Sequence, residues 1–178
     1  VVVVRNGNKI IGVEAFKFAD TTVLLDKLSE VFYKYDLDNS ESIIYGDAGG
    51  LGKPILDQLN RDGWNVRYVL NQAAPYNKLA YLNRGAELWF SLGRHLENAE
   101  IILPQDTTLR KQLASRYYTV TPQNKIQLES KRQAKAKGHS SPDRADAFVL
   151  AFADYRGVMP QRYAARDTVQ YELNDIDE

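Results

Sequence analysis

The sequence has 178 residues, and its 23 Lys and Arg balance 23 Asp and Glu, so the formal net charge is zero. This length predicts one domain with a core large enough to be stable without disulfides. The absence of Cys excludes disulfides, thiolate metal sites and cysteine nucleophiles, and with only two His residues a metal site would be built from carboxylates around a hard cation. A zero net charge ordinarily argues against a nucleic-acid partner.

No apolar run approaches the roughly 18 residues that a membrane span needs, and no signal-peptide pattern opens the sequence. We therefore expect a soluble, intracellular protein with no membrane partner. The opening run Val1-Val2-Val3-Val4-Arg5 is typical of the interior of a strand, which predicts that the sequence is a fragment of a longer polypeptide.

Residue patterns predict alternating strands and helices along the chain. Asn6-Gly7-Asn8 separates two β-rich runs and predicts an antiparallel hairpin, because Asn and Gly tolerate positive φ. The β-turn-α-turn-β pattern over residues 42–70 predicts parallel strands joined by a crossover helix. The predicted strands are residues 1–5, 9–16, 42–46, 64–70, 117–120 and 125–128. The first predicted helix is capped by Thr21 or Thr22 and ends near Tyr35. The other predicted helices surround Ile55 to Leu59 or span residues 79–96, 106–116 and 142–155.

The last helix carries the first acidic pair. Ser141 is a predicted N-cap, and Asp143 and Asp146 lie one turn apart on a helix that is apolar on all sides beyond them, which predicts burial. A carboxylate pair at the entrance to a buried helix is costly unless cations compensate it. The alternative is that Asp143 only favours the helix dipole and Asp146 pairs with Arg144 or another base.

Asp47 is the second acidic candidate, because it stands where an apolar strand gives way to a glycine-rich turn. Ligands of open α/β sheets bind at the carboxyl ends of strands. The alternative is an Asp that caps the turn or the next helix. A Walker phosphate loop is excluded, since Asp47 stands where that motif requires Gly, and Pro54 where it requires Ser or Thr.

A basic segment, residues 125–139, leads into the last helix. Its five basic residues and one acidic residue give a local charge of +4. The acidic residues after position 170 offset this charge, so a net charge of zero is compatible with a nucleic-acid partner. Basic side chains beside a metal-holding acidic site suit a phosphodiester substrate. The alternative is a solvated loop.

Three segments together resemble, in order and spacing, the nuclease domain of phage terminase large subunits. They are Ile43-Ile44-Tyr45-Gly46-Asp47-Ala48-Gly49-Gly50-Leu51-Gly52, Asn83-Arg84-Gly85-Ala86-Glu87-Leu88-Trp89 and Ser141-Pro142-Asp143-Arg144-Ala145-Asp146-Ala147. The resemblance covers residues 1 to about 156 and implies an α/β, ribonuclease H-like fold, with a mixed sheet flanked by helices. It also implies that the family's first strand, which carries another metal-binding Asp, is absent from this sequence, since neither Glu14 nor Asp20 matches its place.

The resemblance implies an endonuclease that cuts concatemeric double-stranded DNA during phage genome packaging. Asp47, Asp143 and Asp146 would be the catalytic residues and would hold two divalent ions, Mg²⁺ or Mn²⁺, while Lys131, Lys135 and Lys137 would contact DNA phosphates. The implied partners are the terminase small subunit and the portal, in the cytoplasm of a host that carries the phage or prophage. We expect a nuclease domain over residues 1–160 and a polar, acidic tail over residues 161–178. The alternatives are another ribonuclease H-like nuclease, of resolvase or integrase type, and a catalytically silent DNA-binding packaging module.

Overall fold

The computed structural model describes residues 1–17, 20–49, 52–136, 138 and 141–154. Strands and helices alternate along these residues as the sequence predicts, and both parallel and antiparallel strand pairs are present. In chain order the elements are β1 (Val2–Asn6), β2 (Lys9–Glu14), α1 (Thr21–Lys34), β3 (Ile43–Asp47), α2 (Gly52–Arg61), β4 (Asn65–Val69), α3 (Arg84–Glu97), α4 (Thr107–Ala114), β5 (Tyr118–Val120), β6 (Ile126–Leu128), α5 (Lys131–Ala136) and α6 (Asp143–Ala151). The predicted tail, residues 161–178, lies outside the described residues.

Three strand pairs form the sheets. β1 and β2 are an antiparallel hairpin around Gly7, whose φ of 58° confirms the predicted turn. β3 and β4 are parallel and joined by α2, and β5 pairs antiparallel with β6. Within the described ranges β1 pairs only with β2, and β3 only with β4.

Helix α6 packs against both β1 and β3, and also against α3 and α4. Its apolar residues belong to the main core, where Ala145 and Phe148 are fully buried beside Leu92 of α3 and Leu109 of α4. This confirms the prediction that the helix is buried. A second core joins α1 and α2 to β4, around Leu28, Leu56 and Val66 among others.

Helix α3 also connects distant parts of the chain. At its carboxyl end, the His95 Nδ1 lies 2.6 Å from a carboxylate oxygen of Glu100. Shortly after, Ile102 joins the outer edge of the hairpin: it accepts the Ile10 N–H at 3.1 Å and donates to the carbonyl of Asn8 at 3.0 Å. At the other end of α3, the Gly85 N–H donates to the carbonyl of Asn71, which follows β4. The two ends of the helix are thus attached to different sheets.

Several predicted boundaries are wrong, and side-chain caps explain most of them. The predicted helix over residues 79–96 begins only at Arg84, because the Asn83 side chain accepts the Ala86 N–H at 3.0 Å and the preceding residues hydrogen-bond to Ile126 instead. Helix α1 is capped by Asp20, which accepts the Val23 N–H at 3.0 Å, and not by Thr21 or Thr22. The basic segment is not all loop, since it contains α5.

None of the helices in the described part of the chain is long and apolar enough to cross a membrane.

Candidate active site

Asp47 is the last residue of β3, and its exposed side chain lies at the carboxyl edge of the β3–β4 pair. One carboxylate oxygen accepts the Gly49 N–H at 2.9 Å, and the other accepts the side-chain amide of Asn71, Nδ2, at 3.3 Å. The alternative role as a turn cap is therefore part of what Asp47 does. A carboxylate has about four acceptor positions, so these two bonds leave capacity for a cation or water.

The turn after Asp47 requires glycine for reasons of space. A Cβ on Gly52 would lie 2.0 Å from the backbone oxygen of Asp47, and a Cβ on Gly46 would lie 2.4 Å from the Leu56 side chain. The first collision involves backbone, which cannot rotate away. The glycines thus let α2 start directly beside the end of β3, which leaves the Asp47 side chain at an open edge.

Asp143 and Asp146 lie in the first turn of α6, as predicted. Asp143 is exposed and accepts the Ser141 hydroxyl at 2.5 Å, while Asp146 is half-buried one turn further on. The prediction that Ser141 caps the helix is wrong: the N-cap position belongs to Pro142, which supplies no side-chain cap. Ser141 instead donates its hydroxyl to the Asp143 carboxylate.

The cap of α6 comes from α4. The side-chain oxygen of Gln112 accepts the N–H groups of Arg144 and Ala145 at 2.8 and 3.1 Å, and its amide nitrogen donates to the Ser141 carbonyl at 3.3 Å. The Arg144 guanidinium forms an ion pair with Asp106. Sequence reasoning missed Gln112, because no local pattern signals a cap that lies 32 residues away in the chain.

Asp106 is itself held in its charged form. Burial raises the pKa of its carboxyl, but hydrogen bonds from the Leu109 N–H and from Arg144 outweigh burial and leave the pKa below its usual range. Together with Gln112, this carboxylate attaches the start of α6 to α4. The packing of two helices thus positions the first turn of α6, where Asp143 and Asp146 lie.

The three candidate acids come from two elements that touch each other. Asp143 and Asp146 share one turn, and their helix packs on β3, which ends at Asp47. Carboxylates are the donors that hard divalent cations prefer, so the chemistry of these side chains fits Mg²⁺ or Mn²⁺. Across the part of the chain that the structure describes, however, no group of three or more His, Asp or Glu side chains is close enough to hold a metal ion.

The segment from Asn83 to Trp89 has a structural role. Glu87 is buried, and its carboxylate accepts the N–H groups of Tyr76 and Asn77 at 2.9 and 2.8 Å and the Arg84 guanidinium at 2.6 Å. Burial raises the pKa of Glu87, but these three donors outweigh it and lower the pKa. Arg84 also donates to the Ala153 carbonyl at 3.1 Å, just beyond α6. The segment therefore attaches the loop after β4 to the far end of α6.

The predicted DNA-contacting lysines follow β6. Lys131 and Lys135 are residues of α5, and Lys137 lies outside the described residues. Glu129, the single acid of the basic segment, is buried with 7% exposure, whereas Arg132 is exposed.

No family model and no curated protein matches the sequence. Among solved structures, a point mutant of the nuclease domain of the large terminase subunit of bacterial virus Sf6, determined with manganese, matches with a TM-score of 0.68 and 14% identity, over 83% of this chain and 80% of that one. The unmutated Sf6 domain matches with a TM-score of 0.67 and 16% identity, over 83% and 79% of the two chains.

The large terminase nuclease of thermophilic phage G20c, determined with bound magnesium, matches with a TM-score of 0.55 and 16% identity, over 82% of this chain and 68% of that one. The chain therefore has an α/β, ribonuclease H-like fold. More particularly, its fold is that of the nuclease domains of phage large terminase subunits, and the resemblance predicted from the sequence is confirmed at the level of the fold.

Proposed function

We propose that this chain is a divalent-metal-dependent DNA endonuclease domain that cuts concatemeric double-stranded DNA when a phage genome is packaged. The observation that carries the proposal is the position of Asp47 at the carboxyl end of β3, against which α6 packs with Asp143 and Asp146 in its first turn. The fold shared with terminase nuclease domains, two of them determined with manganese or magnesium, supports it.

In this proposal, Asp47 and Asp143 are ligands of two Mg²⁺ or Mn²⁺ ions, and Asp146 binds directly or through water. Such ions activate water and stabilise the leaving oxygen when a phosphodiester is hydrolysed. The chain's own contribution is to orient the carboxylates of Asp47, at the end of β3, and of Asp143, in the first turn of α6. The Asp47 carboxylate accepts a hydrogen bond from the Gly49 N–H, and the Asp143 carboxylate accepts one from the Ser141 hydroxyl. These two bonds fix the orientation of both carboxylates.

The basic segment supplies the second half of the proposal. We assign Lys131, Lys135 and Lys137 to contacts with DNA phosphates, because they precede α6 directly and their segment carries +4. Phosphate contacts position the duplex without reading its sequence. The partners of the intact system would be the terminase small subunit and the portal, in the cytoplasm of the host.

Plasmid cleavage with Mn²⁺ tests the nuclease. We expect the chain to nick or linearise supercoiled DNA, and we expect Asp47→Ala and Asp143→Ala each to abolish cleavage. Asp26→Ala, which removes an exposed carboxylate of α1, is the matched control and should cleave like the unmodified chain. If both site variants cleave like Asp26→Ala, the assignment of these acids is wrong.

A second candidate, a catalytically silent DNA-binding packaging module, is favoured by one observation: the candidate acids form no closed metal cluster within the described residues. The same experiment separates the two. A silent module would bind DNA, and the slope of the logarithm of its affinity against the logarithm of salt concentration would decrease by about one for each lysine removed. No variant of it would cleave DNA with any metal ion. Cleavage restricted to branched DNA would instead indicate a nuclease of resolvase type.

A further inference from the structure

The first turn of α3 approaches the candidate site closely, although the proposed chemistry gives it no role. Gly85 is buried, and its N–H donates to the Asn71 carbonyl at 2.9 Å. A Cβ at position 85 would lie 3.3 Å from the Asn71 Cβ and backbone oxygen and 3.4 Å from its side-chain oxygen. These separations are at the limit of ordinary packing, so the glycine allows the first turn of α3 to pack directly against Asn71.

Asn71 in turn holds Asp47. It follows β4, the parallel neighbour of β3, and the Ala48 N–H continues their pairing by donating to the Val69 carbonyl at 2.9 Å. Both strands therefore end at one edge. There the half-buried Asn71 donates its side-chain amide to one oxygen of Asp47 at 3.3 Å, while Gly49 binds the other oxygen. Among the described residues, each carboxylate oxygen of Asp47 thus accepts from a different donor.

We infer that Asn71 is a positioning residue for Asp47, and that Gly85 of α3 keeps Asn71 in place. The inference rests on the proposed function. A donor that binds a ligating carboxylate fixes its orientation, and the loss of such outer contacts typically weakens metal binding or activity about 10- to 100-fold. A purely structural role of Asn71 would change the stability of the fold and leave the metal affinity of the folded protein unchanged.

The experiment measures Mn²⁺ affinity by isothermal titration calorimetry on the whole chain, at a temperature where circular dichroism shows each variant folded. We expect Asn71→Ala to weaken Mn²⁺ binding about tenfold or more. Gly85→Ala should weaken it in the same direction. The double variant should bind no more weakly than Asn71→Ala, because both changes act through one contact and their effects are not additive.

Two controls match these changes. Asn60→Ala removes an exposed amide from α2, and Gly93→Ala adds a methyl group to α3 where a Cβ meets nothing within 4 Å. Both should bind Mn²⁺ as the unmodified chain does. If Gly85→Ala does not fold, the Mn²⁺ affinity of Asn71→Ala compared with that of Asn60→Ala tests whether Asn71 positions Asp47.

Asp47→Ala distinguishes failure of this inference from failure of the proposed function. If Asp47→Ala abolishes Mn²⁺ binding but Asn71→Ala equals Asn60→Ala, the positioning role is overturned and the metal site stands. If Asp47→Ala binds Mn²⁺ like the unmodified chain, the proposed site is wrong and the positioning role is overturned with it.

Discussion

Gln112 of α4 accepts the backbone N–H of Arg144 in α6 at 2.8 Å, and so provides the cap that Pro142 cannot. The helix it caps carries Asp143 and Asp146. A helix leaves its first N–H groups without partners inside the helix, so one side chain from a neighbouring helix both satisfies them and fixes where the helix starts. The position of two candidate acids thus depends on a residue that bears no charge.

Replacing Gln112 by Met keeps the length of the side chain but removes the cap. We expect Gln112→Met to lower the free energy of unfolding by about 1–2 kcal/mol, the usual cost of a lost N-cap. Gln112→Glu, which retains an acceptor near the positive end of the helix dipole, should restore most of the loss. Urea denaturation measures both, with the exposed Gln105→Met as control. A Gln112→Met variant as stable as that control would contradict the capping role.

Removing the Glu87 carboxylate should have a larger effect. Its side chain and that of Arg84 are only 10% and 16% exposed. Glu87→Ala therefore removes the acceptor of two backbone N–H groups and the carboxylate partner of Arg84, which keeps its bond to the Ala153 carbonyl. We expect a loss of about 3–5 kcal/mol.

The exposed Lys27–Glu30 pair has the same i,i+3 spacing and is a matched control. Glu30→Ala should cost less than about 1 kcal/mol, because solvent screens an exposed pair. Thermal and urea unfolding of both variants tests the contrast. Equal losses at the two sites would mean that burial of the Arg84–Glu87 pair does not matter.

Stability should fall in acid. Several carboxyl groups have a lowered pKa, through hydrogen bonds that favour the charged form; they are Glu14, Asp38, Asp57, Glu87, Glu100 and Asp106. A carboxyl whose pKa is lower in the folded state stabilises fully above its unfolded pKa, and this stabilisation is lost as the pH falls through the folded pKa.

We therefore expect the free energy of unfolding to decrease as the pH is lowered from about 5 to about 3. Glu87→Gln, which cannot titrate, should show a shallower decrease than the unmodified chain. Urea unfolding at a series of pH values gives both slopes. Identical slopes for the two proteins would show that Glu87 does not contribute to acid denaturation.

The turn after Asp47 should not tolerate a side chain. A Cβ on Gly52 would lie 2.0 Å from the Asp47 backbone oxygen, so we expect Gly52→Ala to destabilise the protein by about 2 kcal/mol or more. Gly93→Ala, with open space around its Cβ, should be neutral or stabilising by up to about 1 kcal/mol, since Ala is the better helix former. Differential scanning calorimetry compares the two. A Gly52→Ala variant with an unchanged melting temperature would contradict the described turn.

The features that the sequence predicts well are local. Asn6-Gly7 specifies the first hairpin through backbone conformation alone, and the apolar run that ends at Asp47 specifies a strand and its open end. The apolar residues after Asp146 predict a buried helix, which the burial of Phe148 confirms. In each case, neighbouring residues contain the whole physical cause.

The features that sequence reasoning misses depend on distant contacts. Gln112 and Asn71 look like ordinary polar residues until folding brings them to α6 and Asp47, over 32 and 24 positions of sequence. The predicted start of α3 is wrong for the same reason, because hydrogen bonds of Ala80 and Leu82 with Ile126 compete with helix formation. Whether Lys131, Lys135 and Lys137 contact DNA stays a prediction.

Helix α3 has 14 residues and is therefore about 21 Å long. Its first turn supports Asn71 beside Asp47, and its last turn, through His95 and Glu100, leads to the residue that extends the hairpin. One continuous helix therefore makes contacts at both places, with Asn71 beside Asp47 at its start and with Glu100, whose carbonyl accepts the Asn8 side chain of the hairpin, at its end.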